Sequence, residues 1–145
     1  FIQPNQELRE VGLRLKFNPL PHVLDGKRVV VVDDSIVRGT TTPRIVALLR
    51  EAGATEVHLR ITSPPIKHPC YLGVDMATYD ELVAANYTVD EIRQRTGADS
   101  LGYLSLDGLI AAAGRKREEM CLGCLTGEYP NVPATHQGRT LAARR

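Results

Sequence analysis

Four valines in a row, residues 29–32, follow Arg28 and run into Asp33 and Asp34. A continuous β-branched run bounded by charge predicts a strand buried on both faces, an inner strand of a parallel sheet. Farther along, Ile45, Val46, Leu48, Leu49 and Ala52 recur at helical spacing. Pro43 suits the first helical position, Thr42 the N-cap and Gly53 the stop. Residues 55–61 then alternate, with Val57, Leu59 and Ile61 set against Glu56, His58 and Arg60. This predicts a second strand with one wetter face. Strand, helix and strand make a βαβ unit with a right-handed crossover, which places the chain in the α/β class. The loop from Asp33 to Thr42 is longer than the roughly two to six residues usual for such connections, and long loops in compact domains are commonly functional.

On either side of this unit the pattern is weaker. Residues 1–26 mix polar and apolar groups around Pro4, Pro19 and Pro21, with a short helix expected over residues 6–11. Residues 63–69 form a proline-rich connection ending at Cys70. Thr78 with Glu81, and Thr88 with Glu91, have capping-box spacing and predict short helices beginning at Tyr79 and Val89. A further helix is expected over residues 107–113, stopped by Gly114. The basic group Arg115, Lys116, Arg117 reads as a solvated helix end, and His58 as a solvated side chain on a strand's polar face. From Thr126 onward glycine, proline and polar residues dominate, so residues 131–145 are expected to form a flexible tail. The expected organisation is an α/β part over residues 1–105, a helical C-terminal segment over 106–130, and that tail.

Charge and composition narrow the function. Eighteen Lys and Arg face 17 Asp and Glu across 145 residues, for a net charge of +1. That balance, with no Trp and two Phe, argues against an electrostatic nucleic-acid binder. No apolar run approaches the ~20 residues that cross a membrane. Three cysteines are too few, and odd in number, for a secreted disulfide scaffold.

The candidate chemistry lies where the first strand ends. Asp33 and Asp34 sit at its carboxyl end, where open α/β sheets bind ligands. Ser35, Ile36, Val37, Arg38, Gly39, Thr40, Thr41 and Thr42 then lead into a helix N-terminus, offering backbone amides, hydroxyls and a positive dipole to a phosphate. Two adjacent carboxylates repel a phosphate, so they suit sugar hydroxyls or a divalent cation such as Mg²⁺. Phosphate on the loop and a diol over the acids outline a ribose 5-phosphate. Neither G-x-x-x-x-G-K-[ST] nor G-x-G-x-x-G is present. The plainer alternative is that the acids only turn the chain and Thr42 only caps a helix.

Cys121 and Cys124 form a C-x-x-C pair, with Cys70 upstream. Three thiolates suit a [4Fe–4S] cluster lacking one ligand, or a Cys₃His zinc site completed by His68 or His136. Three unrelated buried thiols are the alternative. Haem attachment is excluded, because Leu125 follows Cys124.

The stretch from Val29 through Asp33, Asp34, Arg38 and Gly39 to Thr42 resembles the phosphoribosylpyrophosphate (PRPP) motif of type I phosphoribosyltransferases. Residues 1–10, 63–70 and 121–130 narrow the resemblance to the amidophosphoribosyltransferases, glutamine-dependent PRPP amidotransferases that open de novo purine synthesis. The resemblance implies a partial type I phosphoribosyltransferase fold with a parallel sheet. It implies that ammonia released from glutamine at a separate site attacks C1 of PRPP, giving 5-phosphoribosylamine and pyrophosphate. Asp33 and Asp34 are then the catalytic pair, binding the ribose hydroxyls and contributing to a Mg²⁺ site, and Ser35 to Thr42 cradle the 5-phosphate. The iron–sulfur subclass has ligand cysteines at the positions of Cys70, Cys121 and Cys124, the fourth lying upstream. The resemblance further implies a cytoplasmic enzyme, a remainder carrying the glutaminase domain, homo-oligomers, and purine nucleotides as feedback inhibitors. The chain is expected to be a C-terminal fragment with little or no transferase activity alone. A non-catalytic PRPP- or nucleotide-sensing module is the alternative, and a small iron–sulfur or zinc interaction domain a third.

Overall fold

The computed structural model describes residues 17–76 and 78–130. The expected helix over residues 6–11, the stretch 1–10, His136 and the tail 131–145 lie outside them. A one-turn helix α1 (Pro21–Leu24) precedes strand β1 (Arg28–Asp33), and helix α2 (Thr42–Glu51) leads to strand β2 (Glu56–Ile61). Two short helices, α3 (Val83–Asn86) and α4 (Val89–Thr96), follow a 3₁₀ turn at Tyr79–Glu81. Strand β3 (Ser100–Tyr103) comes next, then α5 (Leu106–Ala113), a 3₁₀ turn at Arg117–Glu119 and α6 (Gly123–Thr126).

The strands form a parallel sheet in the order β1-β2-β3, with Val31 opposite Leu59, Asp33 opposite Ile61, and Ile61 opposite Tyr103. The βαβ reading holds, and the alternation in β2 sets its faces. Val57, Leu59 and Ile61 are buried, the first two completely. Val57 and Leu59 pack with Val46, Ala54 and Ala98 beneath α2 and α4, and Ile61 joins Ile36, Val83, Ala84 and Ile92.

Three expectations are corrected. Strand β1 is not covered on both faces: Val30 and Val32 are 61% and 65% exposed, while Val29 and Val31 pack into the core. The cause is position: among the described residues β1 pairs only with β2, and the buried cluster it joins lies on the Val57 side. His58 is not freely solvated. Its Nδ1 lies 2.9 Å from Ser100 Oγ and its Nε2 2.8 Å from Glu56 Oε2, in a polar ladder across the open face. Arg28 and His58 together hold the Glu56 carboxyl below its ordinary range. Finally, α2 begins one residue earlier than expected, with Thr41 as N-cap and Thr42 buried in the first turn.

The capping predictions divide. Thr88 and Glu91 close a full capping box on α4, whose end is set by Gly97 in the left-handed region. Ser105 caps α5 by accepting the Gly108 amide, and Gly114 stops it. A 3₁₀ turn begins at Tyr79 as expected, but the Thr78 hydroxyl donates to Glu81 Oε1 and caps no backbone amide.

Candidate functional site

Strand β1 delivers Asp33 to the carboxyl edge of the sheet, where its carbonyl accepts the amide of Thr62 at 2.9 Å. The acidic pair is folded by its own oxygens. Asp33 Oδ1 accepts the Asp34 amide at 3.0 Å, and Asp34 Oδ1 accepts the Ser35 amide at 2.8 Å. Such side-chain-to-backbone bonds turn the chain sharply off the strand. Partial burial, outweighing the bond from the Asp34 amide, pushes the Asp33 carboxyl above its ordinary value, and the Asp34 charge adds to the rise.

The loop that follows is pinned from beneath. Ile36, 2% exposed, enters the cluster with Ile61, Val83 and Ile92. Val37 packs on a separate cluster of Ile66, Met76 and Leu82, and its carbonyl accepts the Val83 amide at 2.9 Å. Ile36 and Val37 therefore offer a ligand their backbone, with their side chains committed to the core. Gly39 has φ +66°, and a Cβ there would come within 3.2 Å of Val83 Cγ2, so this turn requires glycine. Thr40 is exposed and Thr41 heads α2. The arrangement presents an acidic pair, a short run of backbone and hydroxyl donors, and a helix N-terminus along one edge.

Arg38 behaves differently from its neighbours. Its Nε and NH2 donate to Glu81 Oε2 at 3.1 and 2.7 Å, and NH2 also donates to the Asp75 carbonyl at 3.1 Å. Sequence reasoning named Arg38 but missed Glu81 and Asp75. The signal nearby was Thr78 and Glu81 at capping spacing, which marked the turn that begins at Tyr79 but not the partner of Glu81. An open cavity of about 580 Å³ lies beside the loop, with Arg38, Thr40, Glu81, Tyr87 and Arg95 among its walls. Arg95 stacks over the Tyr87 ring at 4.2 Å.

The three cysteines share one neighbourhood. Cys70 and Cys124 pack on the Ile66, Met76 and Leu82 cluster. The Cys124 carbonyl accepts the amides of Lys67 and His68, each at 3.0 Å, which ties the proline-rich connection to α6. Burial pushes the Cys124 thiol up, with Cys70 and then Cys121 adding to the rise. Cys121 itself is exposed. His68 is turned to Tyr79, its Nδ1 3.1 Å from the phenol oxygen. Among the described residues, no three His, Cys, Asp or Glu side chains converge closely enough to hold a metal ion. By donor type alone, three thiols fit a sulfur-bound cluster. Among the described residues, no helix is long and apolar enough to cross a membrane.

No protein-family model matches the chain. Amidophosphoribosyltransferase of Bacillus subtilis (strain 168) is 58% identical over 134 residues, covering 90% of this chain and 28% of that protein. The Methanocaldococcus jannaschii enzyme of the same name is 60% identical over 130 residues, covering 90% and 27%. A solved structure described as glutamine PRPP amidotransferase from B. subtilis complexed with ADP and GMP superposes with a TM-score of 0.76 at 57% identity, covering 90% of this chain and 30% of that one. A second, described as the allosteric regulatory enzyme of purine biosynthesis, gives 0.75 at 58% identity, covering 90% and 29%. The chain thus spans under a third of the length of these relatives. Its parallel sheet and crossovers define an α/β domain of the phosphoribosyltransferase type, as in those amidotransferase structures. Over 90% of its length the chain is similar to one portion of the amidophosphoribosyltransferases.

Proposed function

We propose that this chain supplies the ribose-phosphate site of an amidophosphoribosyltransferase, which makes 5-phosphoribosylamine from PRPP and glutamine-derived ammonia. The observation that carries the reading is the edge running from Asp33 through Gly39 to the head of α2. Asp33 and Asp34 hold the ribose hydroxyls, and the backbone and hydroxyls of Ser35 to Thr42 hold the 5-phosphate. Ammonia attacks C1 as the bond to pyrophosphate breaks, and the resulting ammonium loses a proton. Positive charge grows on the ribose as that bond lengthens, and the carboxylates stabilise it. Asp33 and Asp34 also contribute to a Mg²⁺ site. Magnesium commonly takes only one or two protein carboxylates and completes its shell with substrate phosphates and water. When bound, it neutralises the departing pyrophosphate.

The rest of the reading follows the relatives. The remaining length of the enzyme carries the glutaminase domain, the assembled enzyme is a homo-oligomer, and purine nucleotides inhibit it. The solved relative bound to ADP and GMP supports the last point. Its place is the cytoplasm. Cys70, Cys121 and Cys124 supply three ligands to a [4Fe–4S] cluster, whose fourth comes from outside the described residues. Iron and acid-labile sulfide analysis after anaerobic purification checks this, and thiols free of both refute it.

Calorimetric titration with Mg·PRPP tests the site itself. Binding is expected in the wild-type chain and is lost in Asp33→Asn/Asp34→Asn. Equal binding by the double variant refutes the assignment.

A further inference from the structure

The loop that reads as the phosphate cradle does not stand alone. Asp75, Glu81 and Val83, more than 35 positions downstream, meet it from Ile36 to Gly39. Ile36 packs on Val83 and Ala84, the Val37 carbonyl takes the Val83 amide, and Gly39 lies against the Val83 side chain. Arg38 completes the set through Glu81 and the Asp75 carbonyl. Glu81 is held on its other side as well, since Thr78 Oγ1 donates to Glu81 Oε1 at 3.1 Å. Both carboxylate oxygens are thereby engaged, one by a hydroxyl and one by a guanidinium. A charge-assisted bond whose acceptor is already oriented loses less freedom on forming.

We infer that Arg38 is a positioning residue, which sets the phosphate loop through Thr78–Glu81 instead of touching the phosphate. This goes beyond the family reading, which counts Arg38 within the cradle, and it rests on that reading for the loop's ligand. The alternative, a guanidinium on the phosphate, requires Arg38 to leave an acceptor at 2.7 Å and a carbonyl at 3.1 Å. The two roles predict opposite signs when Glu81 is neutralised. If Arg38 positions the loop, losing the carboxylate loosens the loop and weakens binding. If Arg38 binds phosphate, losing the competing carboxylate frees the cation and binding holds or tightens.

The test compares the wild-type chain with Glu81→Gln, the charge swap Arg38→Glu/Glu81→Arg, and Asp33→Asn/Asp34→Asn. Two readouts are used: calorimetric titration with Mg·PRPP, and amide hydrogen exchange at Val83, whose partner is the Val37 carbonyl. Glu81→Gln is expected to weaken Mg·PRPP by roughly two- to fivefold, the range for an exposed ion pair, and to speed Val83 exchange. The swap recovers the slower Val83 exchange in part, because it restores the ion pair but not the bond to the Asp75 carbonyl. Unchanged or tighter binding by Glu81→Gln, or unaltered exchange at Val83, overturns the inference. If the wild type does not bind, or the Asp33→Asn/Asp34→Asn chain binds equally well, the cradle reading fails. The exchange measurement needs no ligand and still decides whether the clamp holds the loop.

Discussion

Asp99 Oδ2 lies 2.6 Å from the amide nitrogen of Val57, so a carboxylate between α4 and β3 holds the first turn of β2. The same oxygen accepts Arg50 NH2 from α2 at 2.8 Å. One atom therefore joins β2 to α2. Val57 is completely buried, so its amide has little recourse to water if Asp99 is lost. Asp99→Ala is expected to lower the thermal midpoint at neutral pH by more than Arg50→Ala does. The Val57 bond, then Arg50, holds the Asp99 carboxyl below its ordinary value. A depressed carboxyl adds stability above its unfolded value, near 3.8, and loses it as pH falls through the lower folded value. Melts across the acid range should show the gap between wild type and Asp99→Ala closing there.

Asp33 has the opposite sign. Its folded value is raised, chiefly by burial, so its contribution is greatest below the unfolded value of 3.8 and is lost as pH rises through the folded one. Ionised Asp33 at neutral pH thus costs stability. Asp33→Asn should melt at or above the wild-type temperature at pH 7 while losing Mg·PRPP affinity, and the melting difference should vanish in strong acid. A substantial loss of stability in Asp33→Asn at pH 7 contradicts this.

Gly39→Ala tests the loop's backbone. An L-residue in the left-handed region costs about 1–2 kcal/mol, and the new Cβ meets Val83 at 3.2 Å. Urea titration should show a loss of that order. Pairing the change with Val83→Ala should recover only the contact part, leaving the backbone part in place.

The sheet offers a contrast between its two faces. Leu59→Ala, at a site with no exposure, should cost roughly 2–5 kcal/mol by emptying the core under α2. Val32→Ala, at a site 65% exposed, should change stability by about 0.5 kcal/mol or less. Equal losses at the two positions contradict the one-sided packing described above.

Local chemistry explains what the sequence disclosed. The valine run, the helical period from Ile45 to Ala52 and the alternation of β2 are written in neighbouring residues, and all three elements formed. Strand β3 escaped because only four residues, Ser100 to Tyr103, carry its alternation, and Gly102 weakens strand character. The exposed face of β1 escaped for another reason: a valine run does not say whether its strand lies inside a sheet or at an edge. Thr78 and Glu81 marked the short turn at Tyr79 correctly, but a capping-box spacing cannot reveal an arginine more than 40 positions upstream. The Asp33 to Thr42 loop was legible as a long connection at the carboxyl end of β1 leading into a helix. The commitment of Ile36 and Val37 to separate apolar clusters was not, since both clusters assemble from distant segments.

The clamp between Arg38 and Glu81 also bears on the order of events as the polypeptide is made. The two residues are 43 positions apart. At synthesis rates of about 5–20 residues per second, the acceptor leaves the ribosome several seconds after the donor. During that interval β1 can exist without the backing that shapes its loop, because Val83, Glu81 and Asp75 have yet to arrive. A recognisable strand thus precedes the finished loop, which takes its shape only once Asp75, Glu81 and Val83 have docked.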